Sequence, residues 1–103
     1  MSEQMQGATR EKQRVDIGEP PKYDVIFHND DFTPMEFVEF VLENIFFKSA
    51  PDANALMLKV HRSGKATVGT YSYDIAVSKK EKAVAISREN NFPLRITVEP
   101  HKD

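Results

Sequence analysis

The 103-residue sequence contains no cysteine. Without it there is no disulfide, no thiolate zinc site and no thiol nucleophile. No apolar run approaches the roughly 18 residues that a membrane span needs. The first stretch, MSEQMQGATREKQ, is polar and lacks an apolar h-region, so no secretory signal is expected there. Neither sign of charge dominates: 14 Lys and Arg stand against 16 Asp and Glu, for a net charge of −2 and a pI of about 5.9. That balance gives no ground for binding nucleic acid or an anionic membrane. Phosphate-cradling patterns such as G-x-x-x-x-G-K-S/T and G-x-G-x-x-G are missing, as are H-x-x-x-H and H-E-x-x-H. No serine lies in a G-x-S-x-G or S-x-x-K context, so Ser49, Ser63, Ser72, Ser78 and Ser87 are expected as caps or surface residues. A cytoplasmic protein without metal or cofactor is the expectation.

What is present is enough for one domain. Hydrophobic residues make up 40 % of the chain, close to the globular norm. Residues 1–21 lack hydrophobic periodicity and end in Glu19-Pro20-Pro21, which reads as a flexible extension ahead of a core at 22–103. Residues 23–27, YDVIF, are β-rich. Thr33, Pro34 and Glu36 predict a capping box and a helix start, with the helix reaching about Lys48. Val38, Val41, Leu42 and Ile45 mark its core stripe. Ser49, Pro51 and Asp52 start a second helix with Ala53, Leu56, Met57 and Val60 as its stripe, and Gly64 ends it. Residues 65–71 and 94–99 read as strands, and a third helix begins near Ser72 to Asp74 and continues to about Asn90. The order β-α-α-β-α-β predicts an α+β sandwich: three helices packed on a three-stranded antiparallel sheet.

The most informative stretch is residues 28–38, HNDDFTPMEFV. Three short polar side chains end a strand, and an apolar helix begins at once. Amide and carboxylate oxygens therefore lie beside greasy side chains, a junction suited to a small cation carrying an apolar group. Turn and capping chemistry also accounts for Asn29, Asp30 and Asp31. A calcium loop lacks its D-x-D-x-D-G spacing, and two-carboxylate catalysis is unfavourable because neighbouring extended residues face opposite sides. His61 shares a helix face with Met57 and Val60, as a core histidine or as a ligand. Met35 and Met57 either fill core gaps or line an adaptable pocket. Asp74 and Lys79 suit a solvated helix face or a partner's charge. A metal-dependent hydrolase using His28, Asp30 and His61 is an alternative without the usual ligand spacing. A pocketless docking domain, like the C-terminal domain of the ribosomal stalk protein, is another.

Taken together, N-D-D-F-T-P-M-E-F-V at 29–38, M-L-K-V-H at 57–61, Gly64-Lys65-Ala66 and Pro93-Leu94 closely resemble the ClpS adaptor family over residues 22–99. The resemblance implies a non-enzymatic adaptor. Such an adaptor binds proteins beginning with Leu, Phe, Tyr or Trp and hands them to a ClpA- or ClpC-type AAA+ unfoldase for degradation by ClpP. It also implies modulation of the protease's other substrates. By the family pattern, Asn29, Asp30 and His61 hold the free α-amino group, and Asp31 and Thr33 hold the peptide backbone. Met35, Val38, Met57, Val60 and Leu94 line the side-chain pocket, with Met35 as the gatekeeper against β-branched residues. Asp74 and Lys79 are the implied unfoldase-docking pair, Asp replacing the usual Glu. His28 replaces a usual apolar residue and Phe32 a common Tyr.

Overall fold

The structure, a computed structural model, describes residues 20–102. Its elements are β1 (Tyr23–His28), α1 (Met35–Asn44), α2 (Ala50–Ser63), β2 (Lys65–Tyr71), α3 (Tyr73–Glu89) and β3 (Arg95–Pro100). β1 is the central strand, antiparallel to both neighbours, in the order β2-β1-β3. This is the α+β sandwich expected from the element order. Residues 1–19 of the expected N-terminal extension lie outside the described residues.

Period-two alternation divides the sheet. Val25 and Phe27 lie opposite Val98 and Ile96, and Phe27 also opposite Ala66. Val25, Phe27, Ala66 and Ile96 join Val38, Val41, Leu42, Met57 and Val60 in one buried cluster, with half-buried Val98 packed against it. The other face is polar around a nearly buried Ile26. There Thr70 donates to Asp24 (2.7 Å), and His28 Nε2 meets Thr97 Oγ1 (2.9 Å). Arg95 reaches His28 Nδ1 (3.4 Å), which makes Nδ1 the acceptor and Nε2 the donor. Burial, then the charges of Arg95 and Lys65, lower the His28 pKa against the opposing pull of Glu99. His28 thus covers the end of the strand, and it does not line the cleft described below.

α2 starts and stops as its sequence predicts. Ser49 accepts a bond from the Asp52 amide (3.2 Å), and Gly64 closes the helix at φ 87°. α1 does not. Pro34, not Thr33, is the N-cap, and no side chain caps the helix. The Thr33 hydroxyl instead donates to Asp30 Oδ2 (2.8 Å). The helix also stops at Asn44 rather than near Lys48. Phe46 turns into the core, its ring 5.4 Å from that of Phe27. The chain then wraps the helix end, with Phe47 at φ 55° and the Lys48 amide on Leu42 O (3.0 Å).

That abrupt end leaves carbonyls without helical partners, and α1 has no basic residue in its last turn. α3 supplies one. Lys79 Nζ donates to Ile45 O (2.9 Å) and lies over the rings of Phe47 (4.7 Å), Tyr71 (5.4 Å) and Phe46 (5.8 Å). Both contacts suit a cation at a helix C-terminus. Burial, then Lys82 and Lys48, lower its pKa. α3 itself lies close on the sheet because its inward residues are small: Ala76, Ala83 and Ser87 are fully buried. Ser87 is therefore a core residue, neither cap nor surface, and its hydroxyl is satisfied by Ala83 O (2.6 Å).

Lys79→Ala should lower the unfolding free energy by about 1–2 kcal/mol, from one lost charged hydrogen bond and its ring contacts. Asp74→Ala, at an exposed position, should stay within about 0.5 kcal/mol of the wild type. Urea midpoints measure both. Equal midpoints for the two variants would contradict the bridging role of Lys79.

Candidate functional site

Two segments about thirty residues apart build one cleft. The first is the chain leaving β1. The second is the end of α2. Pairing of His28 with Lys65 continues one step further, where the Asn29 amide donates to Gly64 O (2.8 Å). Gly64 turns the chain from α2 into β2, so this bond brings the last turn of α2, with Val60 and His61, against Asn29 and Asp30. Packing of α1 on α2 then sets Met35 and Val38 beside Met57 and Val60.

The loop between β1 and α1 is organised by one carboxylate. Asp30 Oδ1 accepts the Phe32 amide (2.8 Å) and the Thr33 amide (2.7 Å), while Oδ2 accepts the Thr33 hydroxyl. Three donors occupy three of its roughly four lone-pair directions, leaving one on Oδ2. Burial pushes the Asp30 pKa up. The bonds from the Thr33 and Phe32 amides and the Thr33 hydroxyl, with the Arg88 charge, outweigh that and hold it below the usual 3.8. Arg88 also ties down a second loop, donating to Phe92 O (2.9 Å) and Leu94 O (3.0 Å).

The cleft has a volume of about 330 Å³, room for one side chain and its backbone. Its polar part is Asn29, Asp30, Asp31 and His61. Its apolar part is Met35, Val38, Met57 and Val60. Val38, Met57 and Val60 are buried, whereas Met35 is 44 % exposed and forms the lip. No lysine or arginine lines it, and two carboxylates do. The C-terminal end of α2, where backbone carbonyls carry partial negative charge, meets the same polar part. Shape and field therefore suit a cation joined to an apolar group.

Of the residues expected at the site, all but Leu94 among the cleft set line this cleft. Leu94 lies in the core at 1 % exposure, in the same buried cluster as Val38, Met57 and Val60. Asp74 and Lys79 lie outside the cleft, Asp74 exposed and Lys79 engaged at the end of α1. His28, on the opposite sheet face, does not join Asp30 and His61. Among the described residues no cluster of three or more His, Asp or Glu could hold a metal ion. Sequence reasoning passed over Phe32 and Pro34 as wall residues and Arg88 as the clamp on the neighbouring loop. The signal for Phe32 was a large ring set between polar residues 31 and 33.

Asp30→Ala should lower stability by about 1–3 kcal/mol and speed amide exchange at Phe32 and Thr33, whose donors it frees. In the wild type the folded pKa lies below the unfolded value of 3.8, so the carboxylate's contribution is complete above that value. It is lost as pH falls through the folded value. Protection of the two amides, followed by NMR, should hold at about pH 5 and fail only below about 3.8. Loss already at pH 5 would contradict the assignment.

Comparison with known proteins agrees over most of the chain. The family model for ATP-dependent Clp protease adaptor protein ClpS matches residues 18–97. The ATP-dependent Clp protease adapter protein ClpS of Treponema denticola is 53 % identical over 81 residues, 79 % of this chain and 80 % of that protein. The adapter protein of the same name from Vibrio atlanticus is 46 % identical over 89 residues, 86 % of this chain and 84 % of that one. The solved structure of Agrobacterium tumefaciens ClpS2 bound to L-phenylalaninamide has a TM-score of 0.78 at 40 % identity, covering 81 % of this chain and 100 % of that chain. With its fold, its 29–38 block and its α2 end all in the expected places, the chain belongs to the ClpS family of ATP-dependent Clp protease adaptors.

Proposed function

We propose that the cleft receives the free N-terminal residue of another protein, and that this chain presents the captured protein to the ATP-dependent Clp protease. One observation carries the reading: a cation-favouring polar set and a small apolar pocket share one cleft, in a family with a relative solved with L-phenylalaninamide. That molecule has a free α-amino group, a benzyl side chain, and a carboxamide standing in for a first peptide bond. Its three parts match the chemistry available here.

In this reading the ammonium donates to the Asn29 side-chain oxygen and to an unprotonated His61 nitrogen, with Asp30 contributing charge through its one remaining lone pair. Asp31, exposed, and Thr33 hold the following peptide. The Thr33 hydroxyl already donates its proton to Asp30, so it remains an acceptor for a peptide N–H. The first side chain enters among Met35, Val38, Met57 and Val60, with buried Leu94 part of the same apolar set. Leu, Phe, Tyr and Trp are the side chains it takes. An acetylated or internal residue has no ammonium and is refused.

Delivery is to a ClpA- or ClpC-type AAA+ unfoldase acting with ClpP, with Asp74 and Lys79 at the docking surface. Residues 22–103 are the binding domain and residues 1–21 its N-terminal extension. The chain carries out no reaction of its own, and it works in the cytoplasm.

Titration with labelled peptides beginning with Phe, Leu, Arg or acetyl-Phe tests the core of this. Phe and Leu should bind in the micromolar range or tighter, and the other two at least tenfold more weakly. Equal binding of Phe and acetyl-Phe would refute it. Met35→Ala should admit peptides beginning with Ile or Val, because it removes the exposed lip that crowds a β-branched side chain. Continued rejection of both would remove Met35 as the gatekeeper.

A further inference from the structure

We propose that Phe32 is a specificity residue for the second position of the bound chain, a platform for side chains with a flat face or a long stem. The inference rests on the cleft reading above.

Phe32 is 77 % exposed, among the most exposed large hydrophobic residues of the described chain. It makes no ring–ring contact with the described residues and takes no part in the buried core. Yet it is not loosely held. Its amide is bonded to Asp30 Oδ1, and so is that of the next residue. The loop thus presents a large apolar ring to solvent from a fixed backbone, and the residue lines the cleft. An unburied ring held this way gains nothing for the fold. Covering it with a ligand recovers hydrophobic free energy at little cost in ordering the loop.

Its place in the wall identifies what covers it. The amine-binding set and the apolar pocket account for the first residue's ammonium and side chain. The rest of the ligand must leave past Asp31 and Thr33, and Phe32 lies between them in the chain. The first group it can meet is the side chain at position two. A phenyl ring offers no hydrogen bond, so it selects by contact area and π-face. Tyr and Phe gain most, and Arg gains by stacking its guanidinium on the ring next to exposed Asp31. Ala and Gly gain nearly nothing.

An aromatic pair contributes about 0.5–1.5 kcal/mol beyond burial, which converts to roughly 2- to 12-fold in affinity. Wild type, Phe32→Ala and Phe32→Tyr are titrated with L-phenylalaninamide and with Phe-Ala-, Phe-Tyr- and Phe-Arg-headed peptides of otherwise identical sequence. Wild type should bind Phe-Tyr and Phe-Arg about 2- to 12-fold tighter than Phe-Ala. Phe32→Ala should erase that spread and weaken phenylalaninamide by a smaller factor than Phe-Tyr, and Phe32→Tyr should restore the spread. Three results overturn the inference alone: no spread in the wild type, a spread that survives Phe32→Ala, or equal weakening of phenylalaninamide and Phe-Tyr. The last would place Phe32 in the first-residue pocket. If wild type binds no phenylalaninamide, the cleft reading fails and this inference falls with it.

Discussion

The hydrogen bond from the Asn29 amide to Gly64 O joins the two halves of the cleft. Asn29 follows the central strand, and Gly64 is the left-handed residue that ends α2 and begins β2. A residue with a Cβ at this φ would be strained by about 1–2 kcal/mol. The turn therefore depends on glycine, and the bond depends on the turn. Once both form, antiparallel pairing of β1 with β2 delivers His61 to Asn29 and Asp30 with no further device. The site is a by-product of sheet formation, so it is as rigid as the sheet.

Rigidity matters to the proposed function because the energies are small. Burying a Leu or Phe side chain in the pocket is worth roughly 1.5–3 kcal/mol. A micromolar complex needs about 8 kcal/mol. The remainder has to come from the ammonium and the backbone of the ligand, whose partners must be in place beforehand. Asp30 shows how this is arranged. Its carboxylate is mostly committed to fixing the loop, and what that leaves over is its charge and one lone pair. Asp31, exposed alongside, keeps its oxygens free of any such commitment among the described residues. Two adjacent carboxylates thus divide the work, one shaping the loop and one facing outward.

The sequence made the elements and their order legible, because β1, the stripe of α2 and the Gly64 stop each follow from local chemistry. Most of the cleft was legible too, although the grouping of the 29–38 block with Met57, Val60 and His61 came from a family resemblance rather than from periodicity. The misread parts share one cause. Thr33 is a good N-cap by type, but the helix starts one residue later, at Pro34, with the Thr33 hydroxyl on Asp30. The end of α1 is set by the burial of Phe46 against Phe27, a contact between segments nearly twenty residues apart. Ser87 looks like a surface residue until α3 is laid on the sheet. Each is a tertiary choice between two locally acceptable outcomes.

α3 connects these observations. At seventeen residues it is roughly 25 Å long. Lys79 bonds its first half to the end of α1, and Arg88 in its last turn bonds the 92–94 loop and adds its charge to Asp30. Both are basic residues whose polar atoms are committed to backbone carbonyls of other segments. The helix therefore braces the α1–α2 turn at one end and the neighbourhood of the cleft at the other. A surface near Asp74 and Lys79 and a cleft near Asp30 are then fixed relative to each other. In the proposed function, a partner gripping the first places what is held in the second without any hinge between them. That is the mechanical requirement the proposed function sets, and two hydrogen-bonded side chains on one helix supply the bracing.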